Sequence, residues 1–340
     1  MTPAPTSATS AAPLSPAPAA AVPSTSAPAS PVPAGPDGPP DPPYTQRLAD
    51  GVHAFVQPDG GWCLGNAGIL TGDGATALID TAATEHRTRL LRDAVAALTP
   101  HPPTVVVNTH HHGDHHFGNA LFAPAATIVA SARTREVMAD KGTALRYVWP
   151  ATPWGDLDLT LPTLTFEDRL TLHVGDLRVE LVDLGTAHTV SDTVAWLPDR
   201  RVLFAGDVLL PGCTPFTLMG SVSGTLAALD RLRELGPEVV VGGHGPVAGP
   251  EVLDTTEAYL RMVQGLAARG LAASLSPYEA AVRAGLGPFA GLRDPERLVA
   301  NLHRAYAEAS GRPLDHQIRS APVFEEMARY NGGAPLVCRA

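Results

Sequence analysis

The sequence predicts an α/β (α+β) protein of two related halves, with two sheets face to face inside and helices outside. Three observations predict it. Short apolar stretches separated by Gly-rich turns begin after Tyr44, segments with helical spacing of apolar residues follow them, and this order of strand meander then helix occurs twice.

In the first half, 52–57, 62–70 and 75–79 read as strands separated by the turns Asp59-Gly60-Gly61 and Gly72-Asp73-Gly74. Residues 85–98 carry helical spacing and stop before Pro100. The β-branched stretch 104–108 reads as a strand buried on both faces. A strand at 127–130 and a helix at 131–141 follow, then a loop over 142–161 that holds Tyr147, Trp149 and Trp154 among prolines and glycines. The second half repeats the pattern: strands at 161–166, 170–174, 177–184, 193–197 and 201–205, a helix at 223–235, a strand at 238–241 and a helix at 251–268. The remainder to 340 reads as mostly helical, broken near 285–288 and 311–313.

The first 43 residues stand apart. They hold 14 of the 34 prolines, no aromatic residue, and only Asp37 and Asp41 as charged side chains. So little apolar surface cannot offset the entropy of ordering, which predicts a disordered Pro/Ala/Ser-rich tail over 1–43. The tail also lacks the basic start of an export signal, and no run of about 18 apolar residues occurs, so a soluble, cytoplasmic protein without membrane contact is expected. Cys63, Cys213 and Cys338 are odd in number and scattered, which does not form a disulfide framework. A net charge of −10 without a Lys/Arg cluster argues against a nucleic-acid partner.

The chemistry concentrates in Asn108-Thr-His-His-His-Gly-Asp-His-His-Phe-Gly-Asn119, with five of thirteen histidines in seven positions. Neutral imidazoles and a carboxylate suit borderline cations such as zinc. The spacing His110-x-His112 puts two rings on one side of an extended chain, and Asp114 and His115 can diverge toward a second ion if the chain turns helical there. His111 and His116 then point away. Two further strands end in the same manner. Apolar 202–205 leads to Gly206-Asp207, apolar 239–241 leads to Gly242-Gly243-His244, and His188 sits just past 177–184. Ligands at neighbouring strand ends can converge on one sheet edge, with glycine allowing close backbone approach. Five histidines and two aspartates suffice for two ions with open positions for water and substrate.

With these five elements in order, the chain resembles the metallo-β-lactamase fold superfamily over roughly 50–265. The resemblance implies a four-layer αββα sandwich with extra C-terminal helices: a catalytic domain over 44–268 and a helical extension over 269–340. It implies one zinc at His110, His112 and His188, a second at Asp114, His115 and His244, and Asp207 bridging both; iron or manganese is an alternative. A hydroxide held between the ions would be the nucleophile, with Asp114 as the catalytic group that orients it. Aspartate at 207 is similar to the hydroxyacylglutathione hydrolases and unlike the Cys-containing zinc β-lactamases. Asp80, at the end of 75–79, would brace the metal loop by hydrogen bonds.

The function implied is a metal-dependent hydrolase of a small-molecule ester, thioester, lactone or amide. Alternatives are a mononuclear-iron oxygenase similar to the persulfide dioxygenases, a phosphodiesterase or nuclease, and a non-catalytic metal-binding protein. Trp149, Trp154, Phe216 and Met219 are candidates for an apolar pocket.

Overall fold

A computed structural model describes residues 1–2 and 41–340. The expected disordered tail falls almost wholly on 3–40, outside the described residues. The first sheet opens with an antiparallel meander of β1 (Tyr44–Ala49), β2 (Val52–Val56), β3 (Ala67–Gly72) and β4 (Ala75–Ile79). Helix α1 (Glu85–Leu98) then crosses over to β5 (Val105–Val107), which pairs parallel to β4 as such a crossover requires. A one-turn helix α2 (Gly113–His116) leads toward β6 (Thr127–Ser131), α3 (Ala132–Lys141) follows, and β7 (Leu164–Phe166) completes seven strands in sequential order.

The second sheet is β8 (Arg169–Val174), β9 (Leu177–Asp183), β10 (Thr193–Leu197), β11 (Val202–Gly206) and β12 (Val239–Gly242). It is antiparallel except for β11 and β12, which α4 (Val222–Leu235) links in parallel. Helices α5 (Glu251–Ala272), α6 (Pro277–Ala284), α7 (Arg297–Ala309) and α8 (Ser320–Tyr330) end the chain.

The alternation of side chains along each strand produces the layers. Leu70, Ala77, Ile79, Val107 and Val129 of the first sheet meet Leu181, Ala195, Leu197, Val202, Phe204 and Val241 of the second in one buried cluster. Their neighbours face the other way. Ile69, Leu78, Val106 and Ile128 pack on Leu91 and Val95 of α1, whereas Val194, Trp196, Leu203, Ala205 and Val240 pack on α4, α5 and α7. This is the four-layer αββα sandwich with extra C-terminal helices. Helix starts follow their caps: Thr84 accepts from Arg87 N–H before α1, Ser131 from Thr134 N–H before α3, and Ser221 from Gly224 N–H before α4. Among the described residues no helix is long and apolar enough to cross a membrane.

Three strand expectations change. The strand expected at 161–166 to open the second half starts at Leu164 and closes the first sheet instead, paired in parallel with β6. The strand expected at 62–70 starts only at Ala67, because the preceding residues form a turn closed by Leu64 N–H to the Gly61 carbonyl (3.1 Å), with Cys63 at φ +70°. The apolar character of Trp62 and Cys63 serves a cavity wall instead. Strand β1 went unpredicted, since its sequence YTQRLA has three consecutive polar residues and no apolar alternation, and it lies half-exposed at the sheet edge.

Candidate metal centre

All seven candidate side chains lie beyond the carboxyl ends of strands at one edge of the two sheets. Residues 110–115 follow β5, His188 sits between β9 and β10, Asp207 follows β11 and His244 follows β12. Glycine makes two of these approaches possible. A Cβ on Gly243 would stand 1.8 Å from Asp207 Oδ1, and one on Gly206, itself at φ +51°, would stand 2.8 Å from Thr109 Oγ1. The turn into α2, with His115 N–H bonded to the His112 carbonyl (3.0 Å), separates His110 and His112 from Asp114 and His115.

The donors fall into two groups. His110, His112, His188 and Asp207 bring one ligand atom each within 4.8 Å of one another, as do Asp114, His115 and His244. Asp207 also reaches the second group. Its Oδ2 lies 3.4 Å from His188 Nε2 and 3.5 Å from His244 Nε2, while Oδ1 lies 3.1 Å from His115 Nε2. Asp114 Oδ2 is 3.3 Å from His244 Nε2. His111 and His116 are buried but belong to neither group.

Hydrogen bonds around the cluster set the imidazole tautomers. Asp80 accepts from Thr109 N–H (2.8 Å) and from the Thr109 hydroxyl (2.7 Å). Its hydroxyl proton thus committed, Thr109 Oγ1 accepts from His110 Nδ1 at 2.9 Å, which turns the Nε2 lone pair of His110 inward. Asp80 Oδ2 takes Nδ1–H of His115 (2.9 Å), and the Phe216 carbonyl takes Nδ1–H of His188 (2.5 Å), so their Nε2 atoms also face the cluster. His112 presents Nδ1, 2.9 Å from His188 Nε2, with its Nε2 beside Met219 Sδ at 3.2 Å. Asp80 adopts φ +62° to make these contacts, a backbone state aspartate tolerates better than most residues.

The donor set fits cations. His110 Nε2, His115 Nε2 and Asp207 Oδ1 are buried and find no aligned hydrogen-bond partner among the described residues. Burial pulls His110 well below the usual histidine range, and likewise pulls His112 to about 4 and His188 to about 3, keeping the lone pairs free. Burial acts the same way on His115 and His244, but there the carboxylates win. Asp207, Asp114 and Asp80 raise His115 well above its ordinary value, and Asp207 with Asp114 raises His244 to about 9. Three buried carboxylates in one place require positive charge, which protons or divalent cations can supply.

Over the cluster stands a wall of Trp62, Cys63, Leu145, Trp149, Phe216, Met219, Arg297 and Phe324. Of the expected pocket residues, Trp149, Phe216 and Met219 are there. Trp154 is not: it packs on Phe117 (5.9 Å) and donates to the Trp149 carbonyl (3.2 Å). Sequence reasoning missed Trp62, Arg297 and Phe324. The Arg297 guanidinium lies 4.1 Å from the Trp62 ring centroid, Trp62 Nε1 donates to Glu296 (2.7 Å), and Phe324 lies 6.2 Å from Trp62. A larger groove of about 480 Å³, lined by Met262, Leu266, Ala280 and Arg283 among others, holds none of these donors.

Residues 60–244 match the family described as the metallo-beta-lactamase superfamily. The chain is 26% identical to a metallo-beta-lactamase type 2 of Bacteroides fragilis over 223 residues, 62% of this chain and 82% of the relative. It is 30% identical to a hydroxyacylglutathione hydrolase of Methylococcus capsulatus over 173 residues, 50% of this chain and 57% of the relative. Among solved structures, a metallo-beta-lactamase from Pontibacter korlensis matches with a TM-score of 0.54 at 22% identity, covering 65% of this chain and 99% of that one. The DIM-1 metallo-beta-lactamase matches with 0.54 at 16%, covering 66% and 99%.

Proposed function

The chain belongs to the metallo-beta-lactamase superfamily, and from that premise we propose that it is a dinuclear zinc hydrolase cleaving an ester, thioester, lactone or amide bond of a small molecule. In this reading His110, His112 and His188 hold one zinc, Asp114, His115 and His244 hold the second, and Asp207 serves both. The observation that carries it is the inward turn of the His110, His115 and His188 Nε2 lone pairs, each set by a hydrogen bond on the opposite ring nitrogen. Imidazole-rich sets with carboxylates favour zinc over the all-oxygen sets of magnesium or calcium. Seven donors in two groups exceed what a single iron needs, which supports two ions over the mononuclear oxygenase reading.

When bound, the ions would supply an acidified water and Lewis-acid polarisation of the scissile carbonyl. The protein's own part begins with Asp114. Its carboxylate lines the cleft, and although burial opposes ionisation, His115 and His244 hold it well below the usual carboxylate range. It therefore stays ionised and accepts a hydrogen bond from the attacking water, which orients that water toward the scissile bond. Trp62, Trp149 and Phe216 exclude bulk water and offer an apolar seat to the substrate. The acidic net charge and a small cleft support a small molecule over a nucleic acid.

Metal analysis of protein purified without added metal, followed by a panel of thioester, lactone, β-lactam and phosphodiester substrates, tests the reading. Two zinc per chain and carbonyl-bond hydrolysis that chelator abolishes are expected. One iron per chain with oxygen consumption would overturn it. Asp114→Asn should keep the fold and lose roughly three orders of magnitude in kcat; full activity would remove Asp114 from the mechanism.

A further inference from the structure

Segment 331–340 ties two loops of the cleft wall together. Trp62, between β2 and β3, and Trp149, between α3 and β7, stand with ring centroids 5.6 Å apart. The segment bonds to both. Arg339 N–H donates to the Trp62 carbonyl (2.9 Å), and the Trp149 indole N–H donates to the Leu336 carbonyl (2.9 Å). Its charged anchor is Asp59, whose side chain is 9% exposed and pairs with the guanidinium groups of Arg339 (2.6 Å) and Arg293 (2.5 Å). Arg87 of α1 donates to the Arg339 carbonyl (3.3 Å), and Leu336 packs on the buried cluster that includes Trp149 and Trp154.

These fastenings are few. Residues 334–340 form no helix or strand, and Ala334, Pro335 and Val337 are exposed. Gly332 (φ +70°) and Gly333 (φ +87°) part the segment from α8, and a Cβ on either would meet open space. Two adjacent glycines in the left-handed region, with no neighbour to obstruct rotation, make a hinge. A stretch with so few buried contacts belongs to the low-stability end of a fold. The cleft that the two loops enclose has room of about 30 Å³, enough for a water or two and too little for an ester or amide substrate. A substrate therefore enters only when Trp62 and Trp149 part, and the segment bonded to both resists that movement.

We propose that segment 331–340 is a hinged strap, clasped at Asp59, that sets the aperture of the cleft and with it the size of substrate admitted. Clasped, it holds the Trp62 loop against Trp149 and the cleft takes water alone. When Arg339 leaves Asp59, the strap swings about Gly332 and Gly333, the Trp62 carbonyl and the Trp149 indole N–H exchange their bonds for water, and the aromatic wall parts. Arg293 stays with Asp59 throughout, so the buried carboxylate is never left without a cation, which keeps the open form within reach. The selection of substrate by size rests on the hydrolase reading above; the closure itself does not.

The test uses Cys63, 2% exposed and lining the cleft, as a reporter of opening in the full metal-loaded chain. Arg339→Met removes the clasp and keeps the apolar stem, whereas Trp149→Phe keeps a ring in place and removes the bond to Leu336. Iodoacetamide labelling of the Cys63 peptide, followed by mass spectrometry, should speed about tenfold in Arg339→Met and about threefold in Trp149→Phe. Amide exchange of 331–340 should quicken alongside, with exchange in β10 and β11 unchanged. Of the substrates the panel finds, the largest should gain about tenfold in kcat/KM in Arg339→Met and the smallest less than threefold. Labelling at the native rate in both variants would overturn the strap, as would labelling that quickens only together with exchange in β10 and β11, the mark of general unfolding. Equal gains for large and small substrates would overturn the selection by size. A chain that turns over none of the panel refutes the hydrolase reading alone, because labelling and exchange still decide the strap.

Discussion

The His/Asp cluster and the wall above it meet in one cleft but are built differently. The cluster takes its side chains from ends of paired strands between His110 and His244, braced by Asp80 beneath them. The wall draws Trp62, Trp149 and Phe216 from loops, and Arg297 and Phe324 from helices α7 and α8 beyond the family-matched region. Bond-breaking chemistry needs donors placed to a fraction of an ångström, which hydrogen-bonded strand ends provide. Selection of the substrate needs surfaces that can move and vary, which loops and an appended helical layer provide.

The largest effect should come from the residue shared by both donor groups. On the proposed dinuclear zinc reading, Asp207→Ala should lower zinc from two per chain to one or fewer and reduce turnover by about a thousandfold; normal metal content by mass spectrometry would show that Asp207 is not shared. The brace should matter less. Asp80→Asn keeps the shape but cannot accept from Thr109 and His115 as a carboxylate does, and a loss of about 10- to 100-fold in metal affinity is expected by chelator competition. An unchanged affinity would mean that the tautomers are set elsewhere. Substitution in the wall should spare the metal altogether. Trp62→Ala removes the ring under Arg297, and should raise KM about tenfold with kcat within about threefold and both ions retained; loss of zinc would erase the distinction between the regions.

The smallest effect concerns the support of His188. Asp192 accepts from the Ala187 and Thr189 N–H groups and the Thr189 hydroxyl, yet burial outweighs these bonds and pushes its carboxyl up to about 7. The folded chain thus binds this proton more tightly than the unfolded chain. Its contribution to stability is full below an ordinary aspartate value near 4 and is lost as pH rises to about 7. The melting temperature of the native chain minus that of Asp192→Asn should therefore fall between about pH 4 and about pH 7. A difference that rises would reverse the assignment.

Much of the cluster was legible in the sequence because its signals are local. Five histidines within seven positions, and apolar strands that stop at glycine before Asp207 and His244, mark donors without reference to any distant residue. Helix α1 was read to its ends for a similar reason, its helical spacing of apolar residues stopping before Pro100. Strand β1 escaped because an edge strand buries little and so carries a weak apolar pattern.

By itself, the sequence determined a layering of two sheets inside and helices outside, through the twice-repeated order of strand meander then helix, and the types of donor at each strand end. Only the tertiary structure decided which nitrogen of each histidine faces the cluster, since that depends on Asp80, Thr109 and Phe216 arriving from separate strands and loops. It alone also decided that Trp62 meets Arg297 and that the Trp62 carbonyl meets Arg339 N–H. Those pairs lie hundreds of residues apart, and no local period or cap encodes a contact that exists only when the helical layer closes over the sheets.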